Sequence, residues 1–477
     1  MFDVIIIGLG VIGASIAREL SRFKLNILGI EAEEDYACGA SSANSGIVHA
    51  GYDAKPGTLK AKFNVLGNKL FKKWADELHF PYINNGSLVL CHSKEDIPRL
   101  EALYEQGIRN GVDGMEIIMR EELIKLEPNL SESVVAALRL KTGGICCPYE
   151  FTFACAENAQ KNSALFRLGE RVLSVKKDDE IFIVKTDKAE YKAKLIINAA
   201  GLYSDEINNM LSEKKMRIIP RKGEYLLMDD KAGAFFTHTI FDLPSALGKG
   251  ILISPTVDGN LFIGPTAVEI GSKTDVSVSQ EAYDVLLSGA RKSWSAVPEN
   301  RFITSFSGLR AHPEGGDFVI GEAEDCKGLI NAAGIESPGL TSSPAIAEYI
   351  AALVKEKTGA EEKEDFDPIR LPIEKFRLMT DEEKKAAIER DPAFGHIVCR
   401  CNIVSEAEIK EAIRRGGKTM DGVKRRVRAG MGKCQGGFCT PEIAKLISKT
   451  AGIPMEEVTK HGKGSEMLVG SIRGGEV

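Results

Sequence analysis

A strand, a glycine-rich turn and a helix at the start of the chain constrain its fold more than any other feature. Val4–Ile7 is a continuous β-branched run, as expected of a strand buried on both faces of a parallel sheet. The turn reads Gly8-Leu9-Gly10-Val11-Ile12-Gly13, and Ala14–Arg22 has helical character. Such glycines let the backbone approach a pyrophosphate, whose charge is stabilised by free N–H groups and the helix dipole. The pattern predicts a Rossmann-like α/β domain.

An acidic residue after the second predicted strand supports this interpretation. Glu31 directly follows the predicted strand Leu25–Ile30 and lies 21 positions beyond Gly10. A carboxylate at this place accepts the hydroxyl groups of an adenosine ribose and repels a 2′-phosphate. We therefore predict dinucleotide binding. The alternative is a glycine-rich turn that only allows close packing of a helix on a strand.

Three later segments rich in small residues bear on which dinucleotide is bound. Ser41–Gly51 is either a capped helix start or a row of donors along an extended flavin. Strand-and-turn patterns recur at Leu195–Gly201 and Gly328–Gly334, and Pro338–Pro344 then leads into a predicted helix at Ala345–Lys355. A helix N-terminus aimed at the flavin pyrimidine ring stabilises negative charge on the reduced ring.

Four of the ten cysteines lie in the last fifth of the chain, in a pattern that suits a metal centre. One residue separates Cys399 from Cys401, and four residues separate Cys434 from Cys439. Four thiolates hold either Zn²⁺ or a 2Fe–2S cluster, and the one-residue gap favours the cluster because structural zinc prefers longer gaps. Since no export signal is evident, we expect a reducing, cytoplasmic compartment.

The distribution of charge separates the same region from the rest. The whole chain has 62 basic and 68 acidic residues, a net charge of −6, which speaks against nucleic-acid binding. No apolar run is long enough to span a bilayer, so any membrane association is expected to be indirect. Residues 396–477 hold 15 basic and 9 acidic residues, and 355–395 is highly charged with three prolines. We predict a surface linker with a short helix near Asp381–Arg390, and then a separate domain.

The basic run Lys424–Arg428 in that domain has three interpretations. It is either a solvated helix face, a compensation for an anionic cluster, or a surface that docks an acidic redox partner.

Together the N-terminal motifs resemble the D-amino-acid oxidase superfamily of FAD-dependent oxidoreductases. GLGVIG, Glu31, SSANSG, IINAAGLYSD, SGLR and NAAGIESPGLTSS occur in the family's order over about residues 1–355. The resemblance implies FAD as cofactor, hydride transfer from a substrate C–H bond to the flavin, and a mixed-sheet domain inserted into the Rossmann-like domain. The FAD contacts that it implies are Gly8, Gly10, Val11, Ile12, Gly13, Glu31, Ser41, Ser42, Asn44, Ser45, Gly46, Val172, Ala200, Gly201, Gly334, Gly339, Leu340 and Thr341.

The expected fold class is thus α/β and α+β, with a small iron–sulfur domain at the C-terminus. The expected domains are an FAD-binding domain of residues 1–79, 141–220 and 302–355, a substrate domain of 80–140 and 221–301, a linker of 356–395, an iron–sulfur domain of 396–450, and a tail of 451–477.

The C-terminal run resembles the BFD-like 2Fe–2S domains. VCRCNIVSEAEIKEAI and RVRAGMGKCQGGFC match that family at all four cysteines, Cys399, Cys401, Cys434 and Cys439, which become the implied cluster ligands. A flavin receives two electrons from a hydride, whereas a 2Fe–2S cluster accepts one at a time. The combination indicates a dehydrogenase that passes electrons to a second subunit or a carrier protein.

The flavoenzyme resemblance also places four residues at the substrate. Arg310 in SGLR lies where relatives clamp a substrate carboxylate or phosphate. His49 lies where relatives carry a histidine near the flavin, and it could take the hydroxyl proton. Arg221 and Tyr225 begin a predicted strand of the substrate domain and could contact an anionic ligand.

Two groups of flavoenzymes compete for the substrate assignment. The fusion to a cluster domain and the run RVRAGMGKCQG resemble anaerobic glycerol-3-phosphate dehydrogenases, whereas NSGIVHAG, RKGEY and IESPGLTSS resemble L-2-hydroxyglutarate oxidases. The former carry a lysine near Glu336 and an arginine near Asp53 or Ala54, and this sequence has neither. We expect a small anionic hydroxy substrate, with glycerol 3-phosphate oxidised to dihydroxyacetone phosphate. The alternatives are a 2-hydroxy acid, an amine or amino acid, and a non-catalytic electron-transfer subunit.

Overall fold

The computed structural model describes residues 1–244 and 250–470, which form two units. One unit contains Met1–Ala32 and Tyr36–Arg370, and the other contains Glu33–Asp35 and the described chain from Leu371 onward. Positions 245–249 of the predicted substrate domain and 471–477 of the predicted tail lie outside the described residues. The finer division of the first unit into an FAD-binding and a substrate domain stays a prediction.

Strands account for the two large sheets and two small ones. In chain order they are β1 Phe2–Ile7, β2 Ile27–Ile30, β3 Ile47–Val48, β4 Tyr82–Ile83, β5 Ser87–Cys91, β6 Met115–Met119, β7 Ala136–Leu140, β8 Gly144–Cys146, β9 Leu165–Arg167, β10 Val172–Asp178, β11 Ile181–Thr186, β12 Glu190–Asn198, β13 Ile218–Met228, β14 Thr239–Asp242, β15 Leu252–Pro255, β16 Leu261–Gly264, β17 Val268–Glu269, β18 Phe302–Pro313, β19 Val319–Ala323, β20 Cys326–Ala333, β21 Ile397–Cys399 and β22 Val404–Ser405.

The α-helices are distributed over both units. In chain order they are α1 Val11–Leu20, α2 Leu59–Leu78, α3 Ile97–Asn110, α4 Arg120–Leu126, α5 Pro148–Lys161, α6 Ser204–Leu211, α7 Gln280–Ser293, α8 Gly339–Thr358, α9 Asp381–Arg390, α10 Glu406–Arg414, α11 Met420–Val427 and α12 Thr440–Ala451.

The first large sheet carries the expected Rossmann-like arrangement. Its spatial order is β10-β11-β12-β1-β2-β9, and β20 pairs with β12 while β19 pairs with β20. The strands β9, β2, β1, β12 and β20 run parallel. Helices α1, α5 and α8 bury apolar residues against one face, and this packing explains the unbroken apolar runs of β1 and β12. The predicted α/β class is confirmed.

Two helix starts differ from the predicted ones. Helix α1 begins at Val11 because the amide of Ala14 already donates to the carbonyl of Gly10, at 2.9 Å. Helix α8 begins at Gly339, six residues before the predicted start, and Pro344 lies inside it. The carbonyl of Leu340 accepts the hydroxyl of Ser343 at 2.9 Å, which supplies a partner at the turn where the proline has no N–H group to donate.

The second large sheet belongs to the same unit and is mixed. Its order is β17-β13-β16-β15-β14-β5-β7-β6, with β18 beside β13. Strands β5 and β14 are parallel, and the other pairs are antiparallel. Long strands β13 and β18 pair from Ile218 with Pro313 to Met228 with Phe302. This ladder presents the predicted substrate residues Arg221, Tyr225 and Arg310.

The second unit packs helices α10, α11 and α12 around a core that includes Ile409, Val423 and Ile447. The predicted short helix in the linker is confirmed as α9, which is closed by a capping box from Thr380 and Glu383. No helix in the described residues is long and apolar enough to cross a membrane.

The interpretation of Lys424–Arg428 as a solvated helix face is wrong for Arg426. Its guanidinium is buried and donates to both carboxylate oxygens of Asp35, at 2.5 and 2.7 Å, and Arg425 reaches the same carboxylate at 3.3 Å. A buried arginine needs such a fork of hydrogen bonds, because an unpaired buried charge is costly.

Candidate active site and iron–sulfur centre

The glycine-rich turn packs tightly against the end of β12. Gly8 has a φ of +94°, and a Cβ atom there would lie 2.5 Å from the carbonyl oxygen of Ala199. A Cβ atom on Gly13 would lie 1.9 Å from the carbonyl oxygen of Gly8. Side chains at these two positions would therefore push the turn away from the sheet, and the fingerprint glycines are required by the backbone itself.

Polar groups surround this turn as dinucleotide binding requires. The predicted ribose acid Glu31 follows β2, and its Oε2 atom accepts the amide of Leu9 at 2.8 Å. The hydroxyl of Ser41 accepts the amide of Val11, the first residue of α1, at 2.9 Å. The ribose acid, the turn and the helix N-terminus are thus held together beside the predicted FAD contacts Gly10 and Ile12.

The other small-residue turns reach the same edge of the sheet. Ile7 of β1 is in register with Asn198 of β12, and Asn198 is in register with Asn331 of β20. Because these three strands are parallel, the turns that follow them meet at one crevice, where open α/β sheets bind their ligands. These turns carry the predicted contacts Gly8, Ala200, Gly201 and Gly334, and Val172 begins strand β10 of the same sheet.

The segment Ser41–Gly46 is a turn that is stabilised by local hydrogen bonds, so its interpretation as a helix start is wrong. Asn44 donates to the carbonyl of Ala40 at 2.9 Å and accepts the amide of Gly46 at 2.8 Å, while Ser42 donates to Gly39. The turn also packs on the second sheet, because a Cβ atom on Gly308 would lie 2.0 Å from the carbonyl oxygen of Ala43.

One face of the β13–β18 ladder carries three of the four predicted substrate residues. Arg221 and Arg310 are direct cross-strand neighbours. Tyr225 lies four residues beyond Arg221, hence on the same face, and its ring stacks on Phe306 with centroids 4.7 Å apart. The hydroxyls of Tyr225 and Ser45 share a hydrogen bond of 3.3 Å, which joins this face to the Ser41–Gly46 turn.

The guanidinium of Arg310 occupies space that a glycine leaves open. It donates to the carbonyl of Thr266 at 2.5 Å, and a Cβ atom on Gly223 would lie 2.3 Å from its Nη2 atom. Burial raises the pKa of the nearby Tyr225 phenol, although the positive charge of Arg310 acts to lower it. The phenol therefore stays protonated at neutral pH, as a neutral donor beside the arginine.

A largely buried carboxylate, Glu336, contacts basic side chains from three separate elements. Its Oε1 atom lies 2.7 Å from Nζ of Lys60 and 2.9 Å from Nδ1 of His312, and its Oε2 atom lies 3.8 Å from Arg221. Burial acts to raise the pKa of Glu336, but the charge of Lys60 and the hydrogen bonds from Lys60 and His312 outweigh burial and lower that pKa. Glu336 is thus ionised and holds the cations in place.

His49 lies beside this cluster of charges. Its backbone amide donates to the hydroxyl of Thr341 at 2.8 Å, and its carbonyl accepts the side chains of Asn64 and Asn68, each at 3.1 Å. The Nε2 atom of the ring is 3.4 Å from the hydroxyl of Ser337, the residue that follows Glu336. Gly339, Leu340 and Thr341, which were predicted as FAD contacts, form the first turn of α8 next to this segment.

Sequence reasoning missed two of the residues in this site. His312 follows Arg310 by two positions on β18, so the alternation of the strand could have indicated that both lie on one face. Lys60 is the second residue of α2, where Asp317 accepts the amides of Leu59 and Lys60 at 2.8 and 3.0 Å. Lys60 therefore reaches Glu336 from a helix that is distant in sequence.

The four predicted cluster ligands meet as two pairs in the second unit. The sulfurs of Cys401 and Cys434 are 3.6 Å apart, and a hydrogen bond from the Cys439 thiol lowers the pKa of Cys399 to about 6. A Cβ atom on Gly432 would lie 2.4 Å from Cβ of Cys401, so the two cysteine loops are in close contact. Within the described ranges, no three His, Cys, Asp or Glu side chains are arranged so that they could hold one metal ion. Two pairs of thiols suit a two-iron cluster that takes four thiolates.

Comparisons with known protein families agree with both centres. The family described as FAD dependent oxidoreductase matches residues 3–353, and the family described as BFD-like [2Fe-2S] binding domain matches residues 397–449. The chain belongs to the FAD-dependent oxidoreductases. It is an enzyme with FAD and a 2Fe–2S cluster as cofactors, and it passes electrons to an acceptor.

Individual relatives extend the comparison. A protein of Caloramator mitchellensis named glycerol 3-phosphate dehydrogenase is 48% identical over 476 residues, which cover 99% of each chain. The structure of the FAD-bound L-α-glycerophosphate oxidase of Mycoplasma pneumoniae has a TM-score of 0.74 at 29% identity and covers 78% of this chain and 99% of that one. The mitochondrial L-2-hydroxyglutarate dehydrogenase of Arabidopsis thaliana is 28% identical over 400 residues. The aligned region covers 73% of this chain and 82% of the Arabidopsis protein. The expected resemblance to both groups of enzymes is confirmed.

Proposed function

We propose that this enzyme oxidises glycerol 3-phosphate to dihydroxyacetone phosphate and delivers the electrons to a second subunit or a carrier protein. The observation that carries the proposal is the set of basic side chains around Glu336, namely Lys60, Arg221 and His312, next to Arg310. The name of the Caloramator relative, which matches nearly the whole chain, supports the same substrate.

The balance of charge at this face favours an anionic substrate. Three permanent cations, Lys60, Arg221 and Arg310, meet two carboxylates, Glu336 and Glu269, and the latter lies 2.7 Å from Arg221. A phosphate monoester carries a charge of about −1.5 to −2 near pH 7, which exceeds that of a carboxylate. The planar fork of Arg310 can donate two hydrogen bonds to phosphate oxygens, which fixes orientation as well as position.

The bond changes assign a role to His49. Oxidation of the secondary alcohol breaks a C–H and an O–H bond at the same carbon and forms a C=O bond. Bound FAD supplies the hydride acceptor, and the 2Fe–2S cluster supplies a one-electron exit. The hydroxyl proton goes to Nε2 of His49, whose ring is oriented by Ser337 and by the bond from its own amide to Thr341.

An L-2-hydroxy acid is the second candidate substrate. The same cations could bind the two carboxylates of L-2-hydroxyglutarate, and the Arabidopsis relative is named for that substrate. An amine would bring a further positive charge to a face where Lys60, Arg221 and Arg310 already outnumber the carboxylates Glu269 and Glu336. We place the reaction in the cytoplasm, since paired thiolates of this kind persist in a reducing compartment.

Anaerobic mixing of the purified holoenzyme with each substrate tests the proposal. We expect glycerol 3-phosphate to bleach the flavin absorbance and yield dihydroxyacetone phosphate. Glycerol, which lacks the phosphate, should lose at least about 1,000-fold in kcat/KM, because the charged contacts are gone. The proposal is wrong if L-2-hydroxyglutarate or an amino acid has the higher kcat/KM. A relay subunit would show no bleaching with any of these compounds.

A further inference from the structure

One aromatic side chain of the second unit is exposed to water, although exposing an apolar ring is energetically unfavourable. Phe438 is 87% exposed. All 20 phenylalanines lie in the described residues, and Phe438 is the only exposed one among them. Leaving a phenylalanine in water forfeits about 1.5–3 kcal/mol of burial, so its position needs an explanation.

Phe438 lies directly beside the predicted cluster ligands. It precedes Cys439 in the loop that begins at Cys434. In the partner loop, Ile403 follows Cys401 by two residues and is 48% exposed. Cys401 is exposed and Cys434 is half-buried, whereas Cys399 and Cys439 are buried. The thiol site is therefore more open to solvent at Cys401, and each of the two loops carries an exposed apolar side chain next to its cysteines.

The charges of these two loops have one sign. Residues 399–403 and 428–440 contain Arg400, Arg428 and Lys433 and no acidic residue. Arg400 and Lys433 are exposed. An oxidised 2Fe–2S cluster with four thiolates has a net charge of about −2, so the loops remain slightly positive even with the cluster bound. We call Phe438, Ile403, Arg400 and Lys433 the Phe438 patch.

We propose that the Phe438 patch docks an acidic one-electron carrier protein, which is the electron acceptor of this enzyme. This inference rests on the proposed function and identifies the chemistry of its acceptor. Interface hot spots are aromatic or arginine side chains surrounded by polar residues, and complementary charge guides the encounter. Phe438 forms the apolar centre, and Arg400 and Lys433 attract an acidic surface.

A protein fits the patch better than a membrane surface does. Stable membrane attachment requires a broad apolar helix face, or a lipid anchor together with a basic cluster. Helices α10, α11 and α12 instead turn their apolar residues, including Ile409, Val423 and Ile447, into the core of the unit. One phenylalanine with two exposed cations suffices for a protein hot spot and not for an anchored helix.

The decisive experiment measures carrier binding to the full-length holoenzyme without substrate. An acidic flavodoxin and an acidic ferredoxin serve as probes, and basic cytochrome c serves as the probe of opposite charge. We expect Phe438→Ala to raise the Kd for an acidic probe at least 10-fold, which corresponds to 1.4 kcal/mol. Arg400→Gln and Lys433→Gln should each raise the Kd and flatten its dependence on salt.

Matched variants separate docking from damage to the fold. Leu378→Ala removes another exposed apolar side chain of the same unit, 68% exposed, and Lys449→Gln removes another exposed cation. Both should leave the Kd unchanged. The visible absorbance of the cluster and the reduction of ferricyanide by glycerol 3-phosphate should be the same in all variants.

Each remaining outcome decides the inference. It is overturned if neither acidic probe binds, if cytochrome c binds as tightly, or if Phe438→Ala leaves the Kd unchanged. Binding of the chain to anionic phospholipid vesicles that is lost in Phe438→Ala would assign the patch to a membrane instead. If glycerol 3-phosphate fails to reduce ferricyanide while the carrier still binds, the proposed substrate fails and the docking surface stands.

Discussion

The Nζ atom of Lys60 lies 2.7 Å from Oε1 of Glu336, although 276 residues separate them along the chain. The pair joins the first turn of α2 to the segment that carries Ser337, which in turn lies 3.4 Å from Nε2 of His49. A single carboxylate thus connects the cations proposed for phosphate binding with the histidine proposed as the proton acceptor.

Replacing Lys60 should weaken substrate binding more than turnover. In Lys60→Met a positive charge near the proposed phosphate site is lost, and we expect the KM for glycerol 3-phosphate to rise by roughly 10- to 100-fold, or about 1.4–2.7 kcal/mol. Steady-state kinetics would measure this change. Lys62→Met alters an exposed lysine two positions along the same helix and should leave KM unchanged. An equal effect of both variants would contradict the role of Lys60.

The lowered pKa of Glu336 predicts how its contribution to stability depends on pH. A carboxyl group whose pKa is lower in the folded state stabilises the fold above its ordinary pKa of 4.5, and the contribution is lost as pH falls through the folded value. Glu336→Gln should therefore have a lower Tm than the unmodified chain at pH 7, with a difference that shrinks as the pH falls below 4.5 towards the lowered folded-state pKa. Thermal unfolding from pH 3 to pH 7 measures this difference. If it were constant over that range, Glu336 would not be ionised in the folded protein.

Arg310 provides the most direct test of the anion site. Arg310→Ala removes a partly buried guanidinium that is proposed to clamp the phosphate. We therefore expect kcat/KM to fall roughly 30- to 1,000-fold, which corresponds to a loss of about 2–4 kcal/mol in transition-state stabilisation. Arg310→Lys should recover only part of this loss, since a lysine cannot donate the planar fork. Arg217→Ala changes an exposed arginine next to β13 and is the control. A normal KM in Arg310→Ala would exclude the clamp.

Much of the fold follows from local sequence pattern. The β-branched run of β1 and the glycines at Gly8 and Gly13 specify strand, turn and helix within one short stretch, so pattern and propensity agree. The start of α8 could not be predicted in the same way. Pro344 indicates a helix boundary by its local chemistry, whereas in the structure it lies inside the helix, and Ser343 donates to the Leu340 carbonyl that the proline cannot reach with an N–H group.

The site was less predictable because its contacts are long-range. Arg310 and His49 were predicted as site residues because each lies in a recognisable motif. Lys60 carries no motif, and its partner is chosen by how α2 packs. The burial of Arg426 was missed for the same reason, since its partner Asp35 is 391 residues away in sequence. A charged residue on a helix is usually solvated, and tertiary contacts alone reveal the exceptions.

Replacing His49 should slow turnover and leave substrate binding intact. His49→Gln keeps the backbone bonds to Thr341, Asn64 and Asn68 and removes the proton acceptor, so we expect kcat to fall by roughly 100- to 10,000-fold with KM changed by less than about 3-fold. Rapid-mixing measurement of flavin bleaching gives the rate of the chemical step. His461→Gln alters an exposed histidine and should have no effect. A bleaching rate that is unaffected in His49→Gln would assign the proton to another group.

Removing a cluster ligand should separate the two halves of the reaction. Cys434→Ser replaces one sulfur of the Cys401–Cys434 pair, whose atoms are 3.6 Å apart, and we expect the iron content and the visible cluster absorbance to fall to the baseline of a flavoprotein. Flavin bleaching by glycerol 3-phosphate should persist, because the substrate residues belong to the first unit. Reduction of a one-electron carrier protein should be lost, since the electrons have no exit through the second unit. Cys326→Ser, at a buried cysteine in β20, should keep both activities. Zinc in place of iron in the unmodified protein, or a cluster that survives Cys434→Ser, would contradict the assignment of the four cysteines.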